Sequence, residues 1–461
     1  MSIVLELAKF VNKASYDMLS QDAVKALKIR LLDSVGCAIG AIEASPVKMI
    51  REQIKEFGGN ELCTLIGGLK TAPDRAAFYN SALIRYLDFN DSFFAPGETC
   101  HPSDNIGSVL AASEYAGISS KNFLTAVAVA YQVQCRLSEE APVRSKGFDH
   151  TVQGAYATAA GISKALGLDV EATANAIAIS GTANNALRVT RTGHISNWKG
   201  IAFAMVGFAA TMQCFLAKKG LTGATQIFEG NKGLMNAIAG KFKIDWGKEN
   251  LEKVKETTIK KFNAETHAQS VLEGIMELRR ENQINADNIG KIEIEIFGVA
   301  YHIIGGGMEG GKKTIATKEQ ADHSLPYMIA VALLDGHVLP EQYEPERIKK
   351  HDVQQLLQKI DIREREEYNG KFPQELNVDI LIRMNDGKNF SKHKKDFEGF
   401  KTRPADWNIV EKKFHRLTKN YTEEKTSNAI IKIVKSFEDY SINGLMKQLT
   451  EVNTEKLNRF V

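Results

Sequence analysis

The sequence predicts a mainly α protein, with a large all-helical domain followed by a smaller α+β domain. Three observations predict it. Apolar residues recur at helical spacing through the first half, where little strand character shows. After about residue 255 the period shortens to two, with Ile292, Ile294 and Ile296 alternating with Glu293, Glu295 and Phe297. Beyond Arg403-Pro404 the helical period returns. The expected divisions are therefore 1–255, 256–403 and 404–461, and a chain of 461 residues suits two or three domains at ~150 residues each.

Taken in order, Ala23 to Ile39 reads as a helix with Val24, Leu27, Leu31 and Val35 on one stripe. Further helical runs span 104–116, 124–134, 152–165 and 171–179, crowded with the Ala and Gly that let helices pack closely. Gly167 and Gly181 stand where helix stops are expected. The apolar run from Gly200 to Ala217, flanked by Lys199 and Lys218, has about the minimum length of a membrane span. It is a single candidate, contains Gln213 and is rich in small residues, so a buried helix is expected. Past the 292–297 strand come a mobile loop at Gly305-Gly306-Gly307 and a helix from Leu325 to Leu334. A second strand carries Val378, Ile380 and Ile382 and ends in the turn signal Asn385-Asp386-Gly387. Helices at 407–417 and 423–438 close the chain.

Composition excludes several classes. At 43% hydrophobic and 25% charged residues, the chain is no disordered, collagen-like or disulfide-scaffold sequence. Lys and Arg number 59 against 56 Asp and Glu, a net charge of +3 that gives no reason to expect nucleic acid or a membrane surface as partner. The five cysteines, Cys37, Cys63, Cys100, Cys135 and Cys214, form no C-x-x-C pair. Reduced thiols in a cytoplasmic protein are expected, without a zinc ribbon or a ferredoxin-type cluster. The first nine residues carry no basic leader and do not read as a secretory signal. No Walker loop, H-E-x-x-H or G-x-S-x-G is present, and no G-x-G-x-x-G follows a strand, which argues against nucleotide chemistry.

What remains is a set of polar clusters interrupting apolar helices. Asp88-Phe89-Asn90-Asp91-Ser92 and Cys100-His101-Pro102-Ser103-Asp104-Asn105 place acids and a histidine in one interhelical loop, where Ser103 or Asp104 would also serve as a helix cap. His150, in Gly147-Phe148-Asp149-His150, enters an apolar helix and reads equally as a satisfied core histidine. Arg188, Arg191, His194 and Lys199 precede the long apolar helix. Cations at a helix N-terminus oppose its dipole, so a bound carboxylate or an acid from elsewhere in the fold must compensate them. Lys260 to Gln269, with Glu265 and His267, reads otherwise as a solvated, capped helix start, and Tyr327, after Asp322-His323-Ser324, as a buried tyrosine anchored by one hydrogen bond.

Together these segments resemble the MmgE/PrpD family over nearly the whole chain, from Leu31-Leu32-Asp33-Ser34-Val35-Gly36 to the segment 407–414. The carrying motifs are Tyr86-Leu87-Asp88-Phe89-Asn90-Asp91-Ser92, His101-Pro102-Ser103, Gly147-Phe148-Asp149-His150, Trp198-Lys199-Gly200 and Ser324-Leu325-Pro326-Tyr327. Within that family the chain is most similar to the 2-methylcitrate dehydratases of propionate metabolism. The cis-aconitate decarboxylases carry a histidine about where Glu265 falls and a shorter form near Asp149-His150; the iminodisuccinate epimerases are a further branch. The resemblance implies a large helical domain completed by 404–461, an α+β lid at 256–403, a homodimer and a small tricarboxylate substrate. It implies a pocket containing Asp88, Ser92, His101, His150, Lys199, Lys260 and Tyr327, with His267 from the dehydratase branch; the sequence itself offers Arg188 and Arg191 as further cations.

Dehydration of such an acid needs a base, an acid and fixed positive charge, but no metal or cofactor. His101 and His150 are expected to handle the proton and the departing oxygen. Asp88 is expected to orient one imidazole, and Tyr327 to donate to a carboxylate or to the leaving group. The competing expectations are decarboxylation or epimerisation in the same pocket, a non-catalytic binder of small polyanions, and a helical protein with no site at all.

Overall fold

In the computed structural model, which describes residues 2–457, the chain divides into two units. The larger takes the chain up to Thr190, then Gly200–Thr257, then everything from Asp406 on; the smaller takes Arg191–Lys199 and Thr258–Ala405. The protein is mainly α.

The larger unit is organised around helices with almost no exposed face. Ser20 starts the helix Gln21–Gly40 by accepting the backbone N–H of Ala23 at 3.1 Å. The buried residues of this helix include Asp33, whose carboxylate lies 2.7 Å from the ammonium of Lys413 on the helix Trp407–Thr418. Ser120–Glu140, Thr151–Leu166 and Val170–Ala183 are likewise lined with small residues and mostly buried. The run first met as a membrane question is the helix Trp198–Lys218, the one described helix long and apolar enough to cross a membrane, and 67% of its most apolar window is buried in the protein.

This unit is not wholly helical, which corrects the all-helical expectation. It holds two antiparallel ribbons, Cys63–Thr64 with Lys70–Thr71 and Phe93–Ala95 with Glu98–Cys100. Strands of two or three residues are too short to register a period of two. The second ribbon reverses at Pro96-Gly97, where Gly97 takes φ +80°.

The smaller unit is a four-stranded sheet with helices. Its strand order is Ile360–Glu364, Ile289–Ile296, Val378–Met384, Asn389–Lys394. The first pair is parallel and the others antiparallel, with Ile294 opposite Ile362 on one side and Ile380 on the other. Ile292, Ile294, Ile296, Ile360, Ile380 and Ile382 form the buried face. The opposite face is a ladder of ion pairs, among them Arg383 with Glu293 at 2.7 Å and Arg365 with Asp379 at 2.6 Å. The helix Gln269–Asn282 approaches the sheet at Gly274, where a Cβ would lie 2.5 Å from Ile380 Cδ1.

Candidate functional site

In the larger unit the candidate residues gather where the helix Pro73–Tyr86 ends. Asp88 holds φ at +56°, a left-handed backbone that Asp tolerates better than most residues with a Cβ. Its carboxylate accepts from Arg85 Nη1 at 2.7 Å, and Arg85 Nε lies 3.4 Å from Asp104 Oδ2, so one buried guanidinium serves two buried acids. Asn90 Nδ2 donates to Ser103 Oγ and Asp104 Oδ1, both at 2.8 Å. The carboxyl group of Asp91 accepts the Ser103 N–H at 3.0 Å and the Tyr131 hydroxyl at 2.8 Å. Burial pushes this carboxyl up from the usual carboxylate range against the pull of those hydrogen bonds. Ser103 and Asp104 are thus engaged with the loop rather than capping a helix. The helix Ile106–Ala116 starts behind a short 3-10 turn, Pro102–Asn105, with no side-chain cap.

The ribbon then returns the chain to its starting point. Because Phe93 pairs with Cys100, the next residue, His101, comes back beside Asp91 and Ser92. Its Nδ1 lies 2.8 Å from the Asp91 carbonyl and 3.1 Å from Ser92 Oγ. A carbonyl oxygen only accepts, so Nδ1 carries a hydrogen. The tautomer task that the sequence assigned to Asp88 therefore falls, for His101, to the backbone of Asp91. The ring of His150 stands edge-on to that of His101 with centroids 5.4 Å apart. It sits at the start of Thr151–Leu166, its Nε2 3.8 Å from Asp149 Oδ1 and its ring stacked on Phe203 at 6.4 Å. Ser92, His101 and His150 are thus brought together, with Asp88 joined to them through Arg85, Asp104, Asn90 and Ser103. Arg188 is half-buried in this unit, its backbone N–H on the Gly147 carbonyl at 2.9 Å.

The smaller unit holds a second buried cluster. Lys199 Nζ donates to Asp322 Oδ1 at 2.8 Å and lies 3.0 Å from His323 Nδ1, which is itself 2.8 Å from Asp322 Oδ1. Lys318 donates to Asp322 Oδ2 at 2.8 Å. Burial works to raise the Asp322 carboxyl, but Lys199, Lys318 and His323 override it and hold it well below the usual range. Asp322 is thus the compensating acid that the sequence left open. Lys260 is fully buried and acts with His267 and His323 on the carboxylate of Glu265. The segment 260–269, which also read as a solvated helix start, is nearly all buried.

Arg191 is buried in the same unit, its Nη1 3.5 Å from the Lys199 carbonyl. Tyr327 is placed by Ser324, which caps its helix, and its hydroxyl donates to the carbonyl of Gln342, the single-bond anchoring that the sequence also allowed. Burial keeps that hydroxyl above its usual range.

Residues 5–247 match the model of the MmgE/PrpD N-terminal domain, and residues 262–439 that of the MmgE/PrpD C-terminal domain. The chain belongs to the MmgE/PrpD family. It is 28% identical to the mitochondrial 2-methylcitrate dehydratase of Yarrowia lipolytica, over 84% of this chain and 77% of that one. It is 27% identical to the 2-methylcitrate dehydratase of Salmonella typhi, over 75% and 74%. It is 25% identical to the mouse cis-aconitate decarboxylase, over 97% and 93%.

For a member of the MmgE/PrpD family the structure adds Arg85, which sequence reasoning passed over, and gives partners to residues it noted without assigning a role: Asp91 and Asp104 near His101, and Glu265, Asp322 and His323 around the lysines. The signal for the last pair was present, because two ionisable residues stand directly before the Ser324 cap of a helix buried along most of its length.

Proposed function

We propose that the chain is a hydro-lyase that eliminates water from 2-methylcitrate or a similar tricarboxylate, giving an aconitate-type alkene without a metal. The observation that carries the reading is the buried pair His101 and His150, with the proton of His101 fixed on Nδ1 by the Asp91 carbonyl. Elimination removes a proton from the carbon beside a carboxylate. The C–H electrons become the double bond as the C–O bond breaks, and the departing hydroxide takes up a proton and leaves as water. A base and an acid that titrate near working pH are required, and imidazole suits both roles. We assign these two steps to His101 and His150.

The transition state places more charge on an acid that is already ionised. Fixed cations in a dry site lower that barrier. We assign Lys199 and Lys260 to this, with Arg188 and Arg191 as further carboxylate partners and Ser92 as a substrate contact. Tyr327 is left to seat its helix on Gln342. The names of the two dehydratase relatives support the substrate class.

A second reading is favoured by one observation: the likeness to the mouse cis-aconitate decarboxylase runs over 97% of this chain, further than the likeness to the dehydratases. The test is one panel of 2-methylcitrate, citrate, cis-aconitate and iminodisuccinate, with products identified and a chelator added. The dehydratase reading expects alkene absorbance from the hydroxy acids, unchanged by the chelator. Carbon dioxide released from cis-aconitate, with no water lost from either hydroxy acid, would establish the decarboxylase instead. Loss of turnover with the chelator would overturn the metal-free chemistry.

A further inference from the structure

The ribbon that returns His101 to Asp91 also carries a buried acid that the chemistry above does not use. Glu98 opens the strand Glu98–Cys100 and pairs with Ala95 across the turn. It is 1% exposed. Its Oε2 accepts the backbone N–H of Val143 and that of Arg144, both at 3.1 Å, and lies 3.5 Å from Gln153 Nε2. Its Oε1 accepts the N–H of Thr99 at 3.2 Å and lies 3.7 Å from Arg144 Nε. Each of these groups donates, so both oxygens serve as acceptors.

The contacts of Oε2 all reach the segment that delivers His150. That segment leaves the helix Ser120–Glu140, passes Val143 and the short turn Arg144–Lys146, and enters Thr151–Leu166 directly after His150. Val143 and Arg144 stand near its start. Gln153 stands in the first turn of the new helix, three positions after His150, and also donates to the Ala141 carbonyl at 3.0 Å. Gly97, at the turn of the ribbon, faces the same segment, because a Cβ there would lie 3.5 Å from Pro142 Cβ. Close to His150 the segment is held from another side, by the Asp149 N–H on the Ala186 carbonyl and the Arg188 N–H on the Gly147 carbonyl, both at 2.9 Å. One short strand therefore grips the approach to His150 with its first residue and hands the chain to His101 after its last. The 5.4 Å between the centroids of the two rings is set along this path, which lies wholly in the larger unit.

We propose that Glu98 is a positioning residue that sets the spacing of the His101 and His150 rings, through the reach of its side chain rather than its charge. This rests on the reading of those two histidines as the pair that moves the proton and releases the hydroxyl. Two imidazoles that act on neighbouring atoms of one substrate need a fixed spacing, since a displacement of about 1 Å costs about a hundredfold in rate.

Reach and charge separate cleanly in two variants. The loop contacts fall on a single oxygen, so Glu98→Gln keeps them without the charge. Glu98→Asp keeps the charge but falls about 1.5 Å short. The test combines steady-state kinetics on whichever acid of the panel is turned over with crystal structures of the ligand-free variants, all on the full chain. Glu98→Asp is expected to lower kcat about tenfold or more with KM unchanged, and to move the two rings relative to one another. Glu98→Gln is expected to keep the wild-type ring separation and a kcat within about twofold of wild type. Gln153→Met, which releases only the helix end of the grip, is expected to move the rings as Glu98→Asp does, and reads the same path where Glu98→Asp does not fold; unmoved rings there overturn the proposal. The reverse order of the Glu98 variants, or equal loss in both, makes the charge decisive and overturns it. A lower melting temperature with kcat untouched leaves Glu98 a structural acid and overturns it as well. A wild type that turns over none of the acids removes the functional reading alone. The ring separation then decides for Glu98, upheld by a shift in Glu98→Asp and overturned by its absence.

Discussion

His101 owes its chemistry to a neighbour that sequence could not single out. The histidine itself was legible, because it stands before Pro102 in a loop dense with acids. That its proton is placed by the carbonyl of Asp91 depends on the return of the Phe93–Cys100 ribbon, a tertiary fact. His101→Ala is expected to abolish turnover with the melting temperature little changed; near-normal turnover would remove the residue from the mechanism. Asp88 offers a second case, since its left-handed backbone favours Asn as well as Asp. Asp88→Asn keeps the backbone preference but leaves the buried Arg85 one acid short, so it is expected to lose activity and some stability, whereas Asp88→Ala should cost about 1 kcal/mol more, read by chemical denaturation. Equal stabilities would show that the backbone is not strained there. The roles left unread at Asp322 and His323 come in part from one distant side chain, Lys199, 123 and 124 positions away, while Glu265 works with neighbours as near as His267 and Lys260 that periodicity alone does not pair with it.

At the scale of elements, long periodic segments were legible and short ones were not. The run expected at 23–39 is the helix Gln21–Gly40, and that expected from Leu325 to Leu334 is Leu325–Asp335. The alternation around Ile294 is the strand Ile289–Ile296. By contrast, Ile360–Glu364 and Asn389–Lys394 lie at the sheet edges, where half-exposed polar residues blur the apolar pattern. Edges of this kind, studded with charge, also resist pairing with other chains. Packing between elements leaves a sharper mark at Gly274. Gly274→Ala pushes a methyl group to within 2.5 Å of Ile380 and is expected to destabilise the protein by about 1–3 kcal/mol. An unchanged denaturation midpoint would mean that helix and sheet move apart at no cost.

For the molecule as a whole, the two units differ in how acid acts on them. In the smaller unit Glu265 and Glu273 are held at about 2. For Glu273, burial is outweighed by Lys394, Arg403 and Lys261. Asp322 lies lower still. A carboxylate depressed on folding stabilises the folded state above its usual value, near 4.5 for Glu, and that contribution is lost as pH falls towards the folded value. In the larger unit burial raises Asp33 and Asp91, so protonation there favours the folded form, against the two half-exposed carboxylates, Glu252 and Glu438, that their partners hold low. On acidification from pH 5 towards ~2, the smaller unit is therefore expected to open first. Hydrogen exchange should show Gln269–Asn282 losing protection before Gln21–Gly40; the reverse order would refute the assignment. The mainly α class was legible from periodicity. That Arg191–Lys199 groups with Thr258–Ala405 was not, because nothing local marks a short segment as belonging with distant chain.

Lys413 gives one more consequence. Its ammonium not only meets Asp33 but also donates to the Phe89 carbonyl at 2.6 Å and sits 3.8 Å from the centroid of the Phe89 ring. The peptide that carries Asp88 to Ser92 is therefore gripped by a residue 324 positions downstream. A Lys413→Met protein would lack that clasp, and the loop would lose its hold although every one of its own residues was intact.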